Sequence, residues 1–227
     1  MRTLPLTLLP LMLIACTDRQ PDAPDLTVTP EFRPAQVGTL DAAEETHLIF
    51  MREEEKLARD VYLTLGKQYK DLKVFSRIDD AEQKHTDTMA DMLLLYQIDD
   101  PSTSDKVGVF TGEDYGWYFT EKYEHLVSWG GTDGLQALYV GAFIEELDMH
   151  DIAECPMVIQ ETYALGEYGC GLVQTDETQL TRAYESLIDG SASHLRAYVK
   201  AIEQIIGEGT YEAQYLPQNV VDSILGR

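Results

Sequence analysis

Ile78, Glu82, His85, Met89, Met92/Leu93 and Tyr96 follow one another at spacings of 4, 3, 4, 3 and 4. That period gathers side chains onto one face of an α-helix. Within this otherwise apolar face stand a carboxylate and an imidazole, three residues and one turn apart. A surface pair would lie opposite Met89 and Met92; this one lies in line with them. Buried ionisable groups are costly unless something partners them, so Glu82-Gln83-Lys84-His85 demands both a helix of about 77–98 and partners from elsewhere in the chain. An oxygen and a nitrogen donor aimed at one point can hold a transition metal.

Three further long stretches repeat the pattern. Asp41 and Glu44 form a capping-box-like start to a helix that runs to a stop at Gly66, with Phe50/Met51, Leu57/Ala58, Val61 and Leu65 as its stripe. Glu54 falls inside that stripe, with Glu55 as the alternative; the rival reading makes Glu53 to Glu55 a solvated run paired with Lys56 and Arg59. From Asp133 to about Glu154, the stripe Leu135, Leu138, Ala142, Glu145, Met149 and Ile152 again contains a glutamate. Glu146 and Asp148 are alternatives there, because pattern does not fix helix rotation to better than one residue. From about Glu177 to Ile206, Leu180, Tyr184, Leu187, Ser191, His194/Leu195, Tyr198 and Ala201/Ile202 bring a second histidine onto a core face, with Gly190 as a candidate bend. A shorter amphipathic stretch over Trp117–Val127, stopped by Gly130-Gly131, lies in the connection between the two pairs of long helices; His125 on it reads as a surface or packing residue.

The expectation is an all-α chain: a ferritin-like four-helix bundle with an extra short helix in the crossover connection. In such bundles two helices each give a Glu, and the other two each give a Glu-x-x-His pair. The candidate ligands are Glu54, Glu82, His85, Glu145 and His194, suited to iron or manganese. Glu53-Glu54-Glu55-Lys56-Leu57-Ala58-Arg59-Asp60-Val61-Tyr62, Glu82-Gln83-Lys84-His85, Gly141-Ala142-Phe143-Ile144-Glu145-Glu146-Leu147-Asp148 and Gly190-Ser191-Ala192-Ser193-His194-Leu195-Arg196-Ala197-Tyr198 resemble the DUF2202 family of ferritin-like proteins. The resemblance spans about residues 43–225 and implies the bundle; it implies no substrate. One position departs from the di-iron pattern, since Ser191 stands where a second Glu belongs. That leaves one strong metal position, or an asymmetric pair completed by Asp148 or water.

The first 15 residues read as an address: Arg2, a short apolar run broken by Pro5 and Pro10, then Leu13-Ile14-Ala15-Cys16. The run is too short to span a bilayer convincingly, and its end resembles a bacterial lipobox, which implies cleavage and lipid attachment at Cys16. No aspartate directly follows Cys16, so the expected location is the cell envelope, at the periplasmic face of the outer membrane. Residues 16–40, rich in proline, read as a flexible tether, and 41–227 as the helical domain. Cys155 and Cys170 remain once Cys16 is lipidated; an oxidising compartment favours a disulfide, with thiolate ligation as the alternative. A formal charge of −23 from 40 acidic and 17 basic residues excludes nucleic acid, since no cation excess exists to displace counterions. It leaves the lipid anchor as the only membrane contact. Protein partners are unassigned, a homodimer being the assembly considered.

Three functions follow from this reading. The first is a metal-dependent, di-iron-like oxidoreductase acting on oxygen or peroxide, with Tyr62, Tyr96 and Tyr198 near the centre. The second is a non-enzymatic structural or interaction lipoprotein whose polar core residues are only hydrogen-bonded pairs. The third is metal binding and delivery in the periplasm.

Overall fold

A computed structural model describes residues 38–162 and 169–227, apart from the side chain of Asp79. The expected signal segment, Cys16 and all but the last three residues of the expected tether lie outside the described residues. Those described form helices without strands: α1 (Ala42–Gln68), α2 (Phe75–Tyr96), α3 (Gly116–Gly130), α4 (Gly134–Ala153), α5 (Met157–Thr162), α6 (Thr178–Ile206) and α7 (Gln218–Leu225), with a 3-10 turn at Leu172–Gln174.

Local chemistry sets the helix starts. The Asp41 side chain accepts from the Ala43 and Glu44 amides, and the Glu44 carboxylate returns to the Asp41 amide, closing a capping box. Asp133 caps α4 by accepting from the Gln136 amide. Gly66 does not stop α1, which continues to Gln68; a Cβ there would meet the Phe75 side chain at 3.0 Å, so the glycine serves the tight approach of α2. Gly190 likewise sits inside an unbroken α6, where a Cβ would lie 2.4 Å from His85 Nε2.

α1 packs on α2 and α4 on α6, and the two pairs meet through α1–α4 and α2–α6. Register shows α1 and α4 to be antiparallel: His47 reaches the Asp151 carbonyl at one end, and Tyr62 reaches Gly141 and Glu145 at the other. The buried apolar side chains of these helices, including Met51, Tyr62, Met89, Leu138, Tyr184 and Tyr198, form the core.

Two segments wrap the outside. Residues 99–113 fold back over α1 and bury its charged side: Arg52 pairs with Asp100, Lys56 donates to the Lys106 carbonyl, and the Gly108 and Gly112 amides donate to Asp60 and Glu53. The C-terminal segment is latched to α4 through Glu146, whose carboxylate accepts from Tyr211 Oη (2.6 Å) and from the amides of Gln214 (2.9 Å), Tyr215 (2.7 Å) and Leu216 (2.9 Å). Cys155 and Cys170 are joined by a disulfide, with their Cα atoms 4.5 Å apart. No helix among the described residues is long and apolar enough to cross a membrane.

Candidate metal centre

Four helices each send a carboxylate or an imidazole to one place between them. On α2, Glu82 and His85 sit one turn apart and are both buried or nearly so. His194 enters from α6 and Glu145 from α4. From α1 the contributor is Glu55, on the face shared with Leu48, Met51, Ala58 and Tyr62. One ligand atom each from Glu82, His85 and His194 lie within 4.8 Å of one another.

Glu82 stands between the imidazoles. Its Oε1 is 2.7 Å from His194 Nδ1 and its Oε2 is 3.3 Å from His85 Nδ1. Glu55 Oε2 approaches His85 Nδ1 at 3.3 Å, and Glu145 Oε2 approaches His194 Nδ1 at 3.5 Å. Both rings therefore turn Nδ1 toward the carboxylates, and they stack with centroids 5.4 Å apart. The remaining oxygen of Glu145 accepts from Tyr62 Oη at 2.7 Å. Tyr62 packs in turn on Tyr198, which reaches α4 because Gly141 has no side chain; a Cβ would meet its ring at 2.3 Å.

Proximity here does not amount to hydrogen bonding. Glu55 Oε1 and Oε2, Glu82 Oε1, His85 Nδ1 and His194 Nδ1 are all buried without a partner in good hydrogen-bond geometry. Native interiors rarely leave such atoms unsatisfied. Grouped around the His85 and His194 rings, and all oxygen or imidazole nitrogen, they suit a divalent transition-metal ion.

In the absence of a cation, protons balance the site. Burial alone would lower the imidazoles, but Glu55 and Glu82 outweigh it and raise His85 to about 12, while Glu145 and Glu82 raise His194 to about 10. Burial and the Glu82 charge lift Glu145 to about 7. Burial also raises Glu55, against the pull of His85. Glu82 is the exception: burial opposes its ionisation, but the adjoining His194 and His85 imidazoles lower it.

Each sequence candidate has a place. Glu82, His85, Glu145 and His194 are in the cluster. Glu54 is buried on a different side of α1, where burial and the charges of Asp151 and Asp148 push its carboxyl well above the usual range; the alternative, Glu55, faces His85. The two residues differ by one step of rotation, about 100°, and α1 is buried on nearly every side over this stretch. Its apolar pattern therefore does not single out the inner face. Glu146 points away, into the C-terminal latch. Asp148 lies one turn beyond Glu145 and accepts a hydrogen bond from Ser191 Oγ. Tyr62 touches the cluster directly; Tyr96 does so in none of its described contacts.

Comparison with known proteins bears on this geometry. The model of the uncharacterized protein domain DUF2202 matches residues 44–227. The uncharacterized protein MJ0754 of Methanocaldococcus jannaschii is 37% identical over 177 residues, which is 78% of this chain and 81% of that protein. The crystal structure of the hypothetical protein MJ0754 from Methanococcus jannaschii DSM 2661 superposes with a TM-score of 0.70 at 35% identity, covering 84% of this chain and 95% of that one.

Proposed function

The chain belongs to the DUF2202 family, and we propose that it is a metal-binding protein of the ferritin-like four-helix-bundle class, its centre built from Glu55, Glu82, His85, Glu145 and His194. One observation carries the proposal: buried carboxylate oxygens of Glu55 and Glu82 and the Nδ1 atoms of His85 and His194 lie unsatisfied by good hydrogen bonds beside one another, with Glu145 of α4 against His194. Mixed oxygen and imidazole donors favour iron or manganese over thiolate-loving metals. A bound ion of either kind supplies one-electron chemistry toward oxygen or peroxide. The chain's part is to hold the donors in place, exclude bulk water from between the helices and keep the Tyr62 hydroxyl on Glu145.

The same proposal places the protein in the cell envelope, lipid-anchored through Cys16 at the periplasmic face of the outer membrane. The lipobox-like Leu13-Ile14-Ala15-Cys16 and the Cys155–Cys170 disulfide support it, because disulfides persist in oxidising compartments. Cys16→Ser is expected to move the protein from the membrane to the soluble fraction; retention in the membrane counts against the anchor.

Metal analysis of the protein purified without chelator tests the centre, with stoichiometric iron or manganese as the expected result. Less than about a tenth of an equivalent, unchanged after anaerobic addition of Fe(II), removes the proposal. A second reading has its own support, since the 2.7 Å contact of Glu82 Oε1 with His194 Nδ1 is an ion pair that needs no metal. In that case the cluster is a structural core pair, and His85→Ala costs stability while leaving metal content at zero.

A further inference from the structure

The di-metal version of this architecture takes four carboxylates and two histidines, with a Glu-x-x-His pair on each of two helices. Here α2 has the pair, but α6 offers Ser191-x-x-His194 and is one carboxylate short. α4 carries two acids one turn apart, Glu145 and Asp148, and α6 runs antiparallel against it. Glu145 faces His194 (3.5 Å), and Asp148 faces Ser191, whose hydroxyl donates to Asp148 Oδ2.

Asp148 is 4% exposed, and its other oxygen, Oδ1, is buried with no hydrogen-bond partner. The carboxylates that act on its charge include Glu55, Glu145 and Glu82, the three of the centre itself, and Asp148 acts in turn on Glu54 of α1. With Asp148 the four helices offer four carboxylates and two histidines: Glu55, Glu82, Glu145 and Asp148 with His85 and His194. Charge counting then decides how many ions it suits. Four carboxylates and two neutral imidazoles carry four negative charges, which two divalent cations cancel. One cation would leave two net charges in the core, each costing several kcal/mol unless it takes up a proton.

Resting on the proposed metal centre, we infer that Asp148, oriented by the Ser191 hydroxyl, is the sixth donor and that the complete set binds two divalent cations. Each cation would draw on one of the two histidines, and Glu82 stands between the imidazoles. The carboxylate that the pattern expects on α6 is supplied across the helix interface by α4, and the serine left behind keeps a hydrogen bond to it.

The test is anaerobic titration of the full-length, chelator-stripped protein with Mn(II) and with Fe(II). It is read by bound-metal stoichiometry and, for manganese, by electron paramagnetic resonance. The wild type is expected to saturate at two equivalents, with a spin-coupled signal replacing the isolated-ion signal at the second. Asp148→Asn is expected to saturate at one. Ser191→Ala keeps two but weakens the second by about 10- to 100-fold, the usual cost of losing a residue that orients a ligand. If Asp148→Asn fails to fold, as circular dichroism would show, the exchange variant Asp148→Ser with Ser191→Glu decides, because moving the carboxylate to α6 should restore two equivalents. Wild-type saturation at one equivalent, two retained in Asp148→Asn, or one in the exchange variant overturns the inference while leaving a metal centre intact. No binding at all overturns the metal centre as well.

Discussion

Glu145 and Glu146 are neighbours on one helix, and the molecule uses them in opposite ways. Glu146 faces outward and is saturated, with four donors from the C-terminal segment on its two oxygens. Glu145 faces inward to a cluster in which carboxylates and imidazoles outnumber the donors available, so that several buried atoms have no partner. A carboxylate with its lone pairs filled holds a fold together. One left with unsatisfied oxygens among others like it is held by the fold against its own preference, which is how ligand sites look before the ligand is counted. Stability should reside in the first region and binding in the second, and the two should separate under mutation.

The largest effect is expected at the latch. Glu146→Ala strands the buried Tyr211 hydroxyl and three half-buried backbone amides, and should destabilise by about 3–5 kcal/mol, the scale of breaking a charged hydrogen-bond network. Chemical denaturation reads this directly, and metal stoichiometry in the folded fraction should not change. A loss below about 1 kcal/mol would erase the distinction between the two regions.

The disulfide at the C-terminal end of α4 belongs to the same structural side. Cys155→Ser with Cys170→Ser opens a loop of 15 residues' separation, a change of about 3 kcal/mol in the chain-entropy model. Mild reductant should reproduce it in the wild type and have no effect on the double variant.

Next in size is an acid sensitivity that arises away from the centre. His47 is buried and neutral, accepting from Tyr184 Oη and donating to the Asp151 carbonyl, and burial lowers it to about 4. The unfolded chain, near 6.5, takes up this proton first as pH falls, so the contribution is full above pH 6.5 and is lost on the way down to 4. From pH 7 to pH 5 the loss should be about 2 kcal/mol. His47→Gln, which keeps a donor and an acceptor, should flatten that part of the pH–stability curve in the metal-free protein. An unchanged slope would assign the sensitivity elsewhere.

The difference between these regions also explains what a reader of the sequence can and cannot see. α2 has one solvated side, so its 4, 3, 4 pattern locates Glu82 and His85 without ambiguity; α6, with the same kind of one-sided pattern, locates His194. α1 and α4 are buried nearly all round, α1 because residues 99–113 cover its charged side. A helix without an outside has no legible inside, and the choice between Glu54 and Glu55, or Glu145 and Glu146, then depends on tertiary contacts far along the chain. The covering segments themselves are held by backbone amides donating to Glu53, Asp60 and Glu146, and backbone donors leave no mark in a sequence. The role of Gly190 is hidden for the same reason: it is set by the His85 ring, about a hundred residues earlier.

The smallest stability effect should come from the most deeply buried acid of the centre. Glu55 is 1% exposed and has neither oxygen in a hydrogen bond, and burial raises its pKa despite the pull of His85. Glu55→Gln removes a charge that the metal-free fold does not welcome and keeps the volume, so the metal-free protein should change by less than about 1 kcal/mol, with a gain as acceptable as a loss. Metal affinity should fall instead, by a factor of 100 or more, because a carboxylate donor facing His85 is gone. The pairing with Glu146→Ala is what gives the comparison its force: one buried glutamate whose loss costs the fold and spares the metal, and another whose loss spares the fold and costs the metal. If Glu55→Gln instead destabilises the metal-free protein as much as Glu146→Ala does, then the contacts with His85 are structural ion pairs, and the inner cluster is a second latch and not a centre.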